Sequence, residues 1–270
     1  MASASATTSS EHGAPRIAER FDTLRDAGRR ALVVYITAGH PDRERSRTLL
    51  AAVIEAGADV VEVGVPFSDP LADGPVIQAS SQRALEGGMT FDGTLALIEA
   101  VRPAVPVVLF TYLNPLLSAG EDALSRAAQA GVDGVLVTDL PVGADPDREA
   151  WLAGGPLAFV RLAAPTTPAS RLREIARHGR GFVYLISRLG VTGIRDDVPG
   201  DLPRTVRSLR AVTSLPICVG FGISRPAQAA AVARVADGVV VGSAVVRAAG
   251  ESVEAAARLV ADLRRAIDDG

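Results

Sequence analysis

From residue 31 onward the chain repeats one beat. A short run of β-branched residues is followed by a cluster of glycine, proline and aspartate, then by an alanine-, leucine- and arginine-rich stretch with apolar positions at helical spacing. The strand-like runs are 31–37, 59–63, 105–111, 134–138, 157–162, 181–186, 215–219 and 238–241. Helical periodicity covers 43–56, 76–86, 91–102, 123–130, 169–177, 202–212, 227–235 and 253–267. Upstream, Ile17, Phe21 and Leu24 share one face of a short amphipathic helix over 15–28. Residues 1–14 are small and polar with nothing to bury, which predicts a disordered tail and leaves 15–270 as one domain.

Several strands are announced by the same device, a glycine followed by a small or acidic residue, as in AGADVVEV, AGVDGVLV and VADGVVVG. Glycine ends the preceding helix by taking a positive φ, and the strand begins within a few residues. Strands alternating with helices through short connections imply parallel pairing and right-handed crossovers. Eight such units predict an α/β chain closed into a single (β/α)8 barrel with an extra N-terminal helix. The competing architecture, an open doubly wound sheet, ordinarily carries G-x-G-x-x-G after its first strand; here that segment reads ITAGHPD. The longest strand-to-helix connections follow the second strand (VPFSDPLADGP) and the sixth (SRLGVTGIRDDVPG), on the barrel face that carries chemistry.

Composition narrows the function classes. The chain has 270 residues, 48% of them hydrophobic, and a net charge of −3, so no basic surplus drives binding to nucleic acid or a membrane surface. No apolar run is long enough for a bilayer span and no signal-peptide pattern opens the chain. Cys218 is alone, which excludes an internal disulfide and fits a cytoplasmic location. All 28 basic residues are arginine, so Schiff-base lysine chemistry is excluded.

Alternation along the second strand places Val61, Val63 and Val65 on one face and Val60, Glu62 and Gly64 on the other. A carboxylate walled by valines suffers desolvation, which raises its pKa and suits it to acid–base work near neutral pH. The alternative is a glutamate paired with an arginine in a structural network. In the loop that follows, Asp73 either caps the helix beginning near Pro75 or takes part in chemistry, and composition favours neither. A second group lies late in the chain: Gly190, Thr192 and Gly193 follow strand six, Gly220 and Gly222 follow strand seven, and Gly242 and Ser243 follow strand eight. Glycines at three successive strand ends let backbone N–H groups approach an anion, which predicts a phosphate site beside a helix N-terminus.

The runs ITAGHP, PFSDPLADGP, DLP at 139–141, YLISRLGVTG, VGFGIS and VGSA, with Asn114-Pro115, resemble the α subunit of tryptophan synthase from about residue 16 to the end. The resemblance implies a lyase that splits indole-3-glycerol phosphate into indole and glyceraldehyde 3-phosphate, needs no metal or organic cofactor, and works with a β chain as an α2β2 heterotetramer. Carried over by position, Glu62, Asp73 and Tyr184 match the catalytic residues. Tyr35, Ile77, Phe110, Thr192 and Phe221 match the substrate pocket, and Gly193, Gly222, Gly242 and Ser243 match the phosphate loops. The strand-six loop with Arg188 and Thr192 is expected to act as a lid. Alternatives are a stand-alone indole-releasing lyase of specialised metabolism, a non-catalytic phosphate-binding activator of a β chain, and another phosphate-binding barrel.

Some residues depart from the family pattern. His40 stands where an acid is usual and reads as structural. Arg161 stands on strand five where an apolar residue is expected; facing outward it needs a carboxylate partner, and facing inward it disturbs the pocket. The segment YLNPLLSAG lacks an aromatic near the position where the partner docks, and Leu189 replaces a small or polar residue. Asp139 is open between pocket and interface. Cys218, Trp151 and Phe159 read as core, and His12, in the tail, and His178, near a helix end, form no metal cluster.

Overall fold

The structure, a computed structural model, describes residues 14–186, 201–220 and 222–270. The expected tail and the strand-six loop, with Arg188, Leu189, Gly190, Thr192 and Gly193, lie outside the described residues, as does Phe221. Eight parallel strands close into a barrel in chain order: β1 (Ala31–Thr37), β2 (Val60–Gly64), β3 (Val107–Thr111), β4 (Gly134–Val137), β5 (Ala158–Ala163), β6 (Val183–Ile186), β7 (Ile217–Gly220) and β8 (Gly238–Val241). The expected (β/α)8 architecture holds.

The helices are α1 (Ala14–Asp26), α2 (Arg43–Glu55), α3 (Pro75–Glu86), α4 (Phe91–Val101), α5 (Leu113–Ala119), α6 (Ala123–Gln129), α7 (Pro146–Gly154), α8 (Ala169–His178), α9 (Leu202–Arg210), α10 (Pro226–Ala233), α11 (Ser243–Glu251) and α12 (Val253–Asp269). Three of them, α5, α7 and α11, are absent from the periodicity reading. Each has nine residues or fewer, and α5 and α7 bury one and two residues. That is too few apolar positions for a helical period to stand out from the loops around it. No helix among the described residues is long and apolar enough to cross a membrane.

Alternation along the strands divides the core in two. The outward set, including Leu32, Val34, Val61, Val63, Leu109, Val135 and Val219, packs beneath the helices. The inward set joins Val33, Val60, Val108, Leu136, Val160, Phe182, Cys218 and Val240 to Ile17, Phe21 and Leu24 of α1, which therefore plugs the N-terminal end of the barrel. Cys218 and Phe159 are buried as expected, and Trp151 is partly buried against the core.

The Gly-then-acid device has a structural purpose at that same end. Asp59, Asp133 and Asp237 each precede a strand, and each accepts an N–H at the start of the neighbouring strand: Leu32 at 2.8 Å, Val107 at 2.8 Å and Ile217 at 2.9 Å. The backbone N–H of each aspartate returns a bond to the carbonyl of the same residue. Arginines neutralise the three carboxylates. Arg264 pairs with Asp59 at 2.8 Å, Arg16 with Asp133 at 3.0 Å and Arg210 with Asp237 at 2.7 Å. These clamps fix strand register far from the C-terminal mouth and leave the mouth free for chemistry.

Arg161 points outward, with its neighbour in register, Val183, in the outer core. Its guanidinium stacks over the Phe159 ring at 4.3 Å and donates to Glu149 of α7 at 3.2 Å. Glu149 also accepts the Gly143 N–H at 2.5 Å, tying the β4–α7 loop to β5. The carboxylate partner that an outward arginine requires is thus supplied by a helix the periodicity did not reveal.

Candidate active site

The site begins with β2. In register Tyr35 pairs with Glu62 and Thr37 with Gly64, so Glu62 stands on the inner wall above Val60. Its side chain is buried, with the residue only 1% exposed, and Oε1 has no hydrogen-bond partner. Among the described residues no arginine pairs with it. Burial alone raises its pKa from 4.5 to about 8, so at neutral pH it carries its proton. Among the described residues, therefore, it belongs to no structural ion pair.

Glycines make room around this carboxyl. A Cβ on Gly64 would lie 2.1 Å from the Tyr35 hydroxyl, and one on Gly220 would lie 2.6 Å from the Tyr184 hydroxyl. The two tyrosines lean into those spaces, and both interact electrostatically with Glu62 and Asp73. Burial drives both phenols well above their ordinary pKa, so they stay neutral. Hydroxyls link α3 to the barrel wall: Ser80 donates to the Ile77 carbonyl at 2.8 Å and lies 2.7 Å from the Thr37 hydroxyl, which reaches the Tyr35 hydroxyl at 3.4 Å.

Asp73 does not cap α3. The N-cap is Gly74, and no side chain caps that helix. Instead the loop that carries Asp73 is tied toward β3, where the Ala72 N–H donates to the Tyr112 hydroxyl at 3.0 Å. Burial raises its pKa to about 6, with the neighbouring Tyr112 hydroxyl opposing the rise, so Asp73 is mostly ionised at neutral pH. Two carboxyl groups thus meet the mouth in different protonation states, an acid at Glu62 and an anion at Asp73.

Of the expected pocket residues, Tyr35, Ile77 and Phe110 form one apolar cluster with Val76 and Val246. The Tyr35 and Phe110 rings meet edge to face at 5.1 Å. Val246 and Tyr112 escaped sequence reasoning. Val246 belongs to an unforeseen helix, and Tyr112 acts through a contact forty residues away in the chain. Gly242 and Ser243 form the N-terminus of α11, Gly242 as N-cap, and Gly222 takes φ +85°. That helix start presents N–H groups toward the mouth, an arrangement that suits an anion. His40 bonds the Val246 carbonyl through Nε2 at 3.2 Å, which joins the β1–α2 loop to α11, and Asp139 accepts the Leu113 N–H at 2.8 Å at the start of α5.

A closed parallel barrel with a buried acid and a loop carboxylate at the C-terminal ends of its strands defines an acid–base enzyme of the (β/α)8 class. Residues 21–268 match the family model for the tryptophan synthase alpha chain. The tryptophan synthase alpha chain of Citrifermentans bemidjiense is 47% identical over 239 residues, covering 86% of this chain and 88% of that one. That of Laribacter hongkongensis is 46% identical over 261 residues, covering 94% and 99%. Among solved structures, tryptophan synthase subunit alpha from Legionella pneumophila superposes with a TM-score of 0.86 at 34% identity, covering 94% of this chain and 99% of that chain. A Mycobacterium tuberculosis tryptophan synthase chain gives 0.86 at 38% identity, covering 93% and 98%. The chain belongs to the tryptophan synthase alpha chain family.

Proposed function

We propose that Glu62 and Asp73 divide the work of this family's reaction, the lyase cleavage of indole-3-glycerol phosphate to indole and glyceraldehyde 3-phosphate in tryptophan biosynthesis. The bond to be broken joins indole C3 to the side chain, and an indole carbanion is a poor leaving group. Glu62, protonated at neutral pH, gives its proton to C3 and turns the ring into a neutral leaving group. Asp73, as an anion, accepts the indole N–H and stabilises the positive charge that develops on the ring. The Glu62 carboxylate then takes the proton of the hydroxyl beside the scissile bond. The electrons of the C–C bond pass to the ring, the aldehyde forms, and Glu62 regains its proton.

Tyr184, neutral and opposite the two acids, completes the catalytic group. Tyr35, Ile77 and Phe110, with Thr192 and Phe221, hold the indole. Gly222, Gly242 and Ser243, with Gly193, receive the phosphate through backbone N–H groups, in keeping with a chain without lysine. Phosphate binding remote from the breaking bond contributes orientation.

The observation that carries this reading is a buried carboxyl on the inner wall with an oxygen that has no hydrogen-bond partner among the described residues. The test is Glu62→Gln, which preserves shape and removes the transferable proton. Indole release should fall by about 100-fold or more. Near-wild-type release would reject the mechanism.

The partner in this reading is a tryptophan synthase β chain that consumes the indole. Among the described residues the exposed large apolar side chains are Leu71, 93% exposed on the Asp73 loop, and Leu117 on α5. Leu71 precedes Ala72, whose N–H meets Tyr112, and Leu117 lies on the helix that starts just after Tyr112; exposed apolar side chains on these two elements suit a docking partner.

A further inference from the structure

A cavity of about 390 Å³ lies between α3 and α11, lined by both helices and by His40 of the β1–α2 loop. Val76 of α3 and Val246 of α11 give it apolar walls, while Ser80 and His40, both buried, line it as polar groups. Arg83 of α3 and Arg247 of α11 line it as well, and both are exposed. Among the described residues neither arginine has an ion pair or a side-chain hydrogen bond, and no acidic side chain lines the cavity. One uncompensated guanidinium from each helix thus stands beside a shared apolar surface.

The same two helices build the substrate pocket. Val76, Ile77 and Val246 cluster with Tyr35 and Phe110, and α11 begins at the Gly242-Ser243 turn. Two polar links run from the cavity into that site. His40 Nε2 bonds the Val246 carbonyl at 3.2 Å. The Ser80 hydroxyl lies 2.7 Å from that of Thr37, which reaches the Tyr35 hydroxyl at 3.4 Å.

We propose that the cavity between α3 and α11 is an effector site for a small carboxylate with an apolar body, the carboxylate held by Arg83 and Arg247 and the body by Val76 and Val246. The planar guanidinium fork matches a carboxylate, and the apolar walls favour a hydrocarbon body over a bare ion. A ligand held by one arginine from each helix ties α3 to α11 and steadies the pocket wall they share. It therefore favours the substrate-bound arrangement. Only this effect on catalysis rests on the function proposed above; binding is measured without it.

The probe is benzoate. Titrated into the purified chain, it should shift the His40 imidazole resonances saturably and leave those of His12 and His178 in place. Arg83→Gln and Arg247→Gln should each weaken binding by about tenfold, and acetate, which lacks the ring, should bind about tenfold more weakly. Ala79→Trp, at an exposed position of the cavity wall, fills the space and should abolish binding. Saturating benzoate should lower KM for indole-3-glycerol phosphate by about fivefold with kcat changed less than about twofold. The arginine variants should lose that response and keep the parental KM without benzoate. An unmoved His40 resonance, binding that neither arginine variant weakens, acetate binding as tight as benzoate, or an unchanged KM overturns the proposal. So does a raised KM, which marks benzoate competing in the substrate pocket. If the chain cleaves no indole-3-glycerol phosphate at all, the mechanism above fails, while the His40 titration still decides the site.

Discussion

Glu62 and Asp73 are both carboxylic acids, and burial raises both pKa values, yet they finish on opposite sides of neutrality. Glu62 has only desolvation acting on it and titrates at about 8; Asp73 is less deeply buried, has the Tyr112 hydroxyl nearby to oppose the rise, and titrates at about 6. A mechanism that needs Glu62 protonated and Asp73 ionised therefore predicts a bell-shaped rate profile with limbs near those two values, to be measured as kcat/KM between pH 5 and 9. The same burial has a cost in stability. Because the folded-state pKa of Glu62 lies above 4.5, its contribution is fully present below that pH and is lost as pH rises through about 8. Glu62→Gln should accordingly gain stability over the parent with rising pH, by about 3 kcal/mol at pH 7, in denaturant melts run at several pH values. Glu62 itself was legible in the sequence, since a glutamate between valines at strand spacing announces a buried acid. Asp73 was only half legible, because its loop spelled a helix cap as well as a catalytic position.

At the scale of elements, strand glycines decide where the tyrosines lie. Gly220→Ala would bring a Cβ within 2.6 Å of the Tyr184 hydroxyl and 2.8 Å of the Val240 Cβ, and the latter is a stiff neighbour. Overpacking of this kind should destabilise the barrel by about 1–3 kcal/mol and raise KM through displacement of Tyr184, as read from thermal melts and steady-state kinetics. These glycines were visible beforehand as strand-end residues, but the rings that fill their space were not. Strand spacing gives the face of a residue and says nothing about the side chain that crosses from the next strand. The short helices α5, α7 and α11 were missed for a related reason: their apolar faces are completed by neighbouring elements and not by their own sequence. Glu149 on α7 is the clearest instance, since it explains Arg161 from twelve residues away.

Across the whole molecule, the two ends of the barrel are built differently. The N-terminal end is plugged by α1 and stitched by three aspartate clamps, whereas the C-terminal end leaves its carboxylates in a mouth flanked by an exposed Leu71 and Leu117. If a β chain covers that flank, the loop holding Asp73 is ordered by the partner. Indole release by the purified chain should then rise about 10-fold or more when a β chain is added. A high unaided rate that the β chain leaves unchanged would favour a stand-alone lyase.

What the sequence determined by itself is everything written in local periodicity. It set eight alternating units, the inward face of Glu62, the glycine-lined strand ends and the apolar stripe of the plug helix, because each depends only on residues two to four positions apart. What only the tertiary structure decided is everything that depends on a partner distant in the chain: the outward turn of Arg161 toward Glu149, the release of Asp73 from capping, and the tie of its loop to Tyr112 through the Ala72 N–H. Those contacts come from closing the barrel, which brings the ends of neighbouring strands within hydrogen-bond reach across separations that spacing along the chain does not encode.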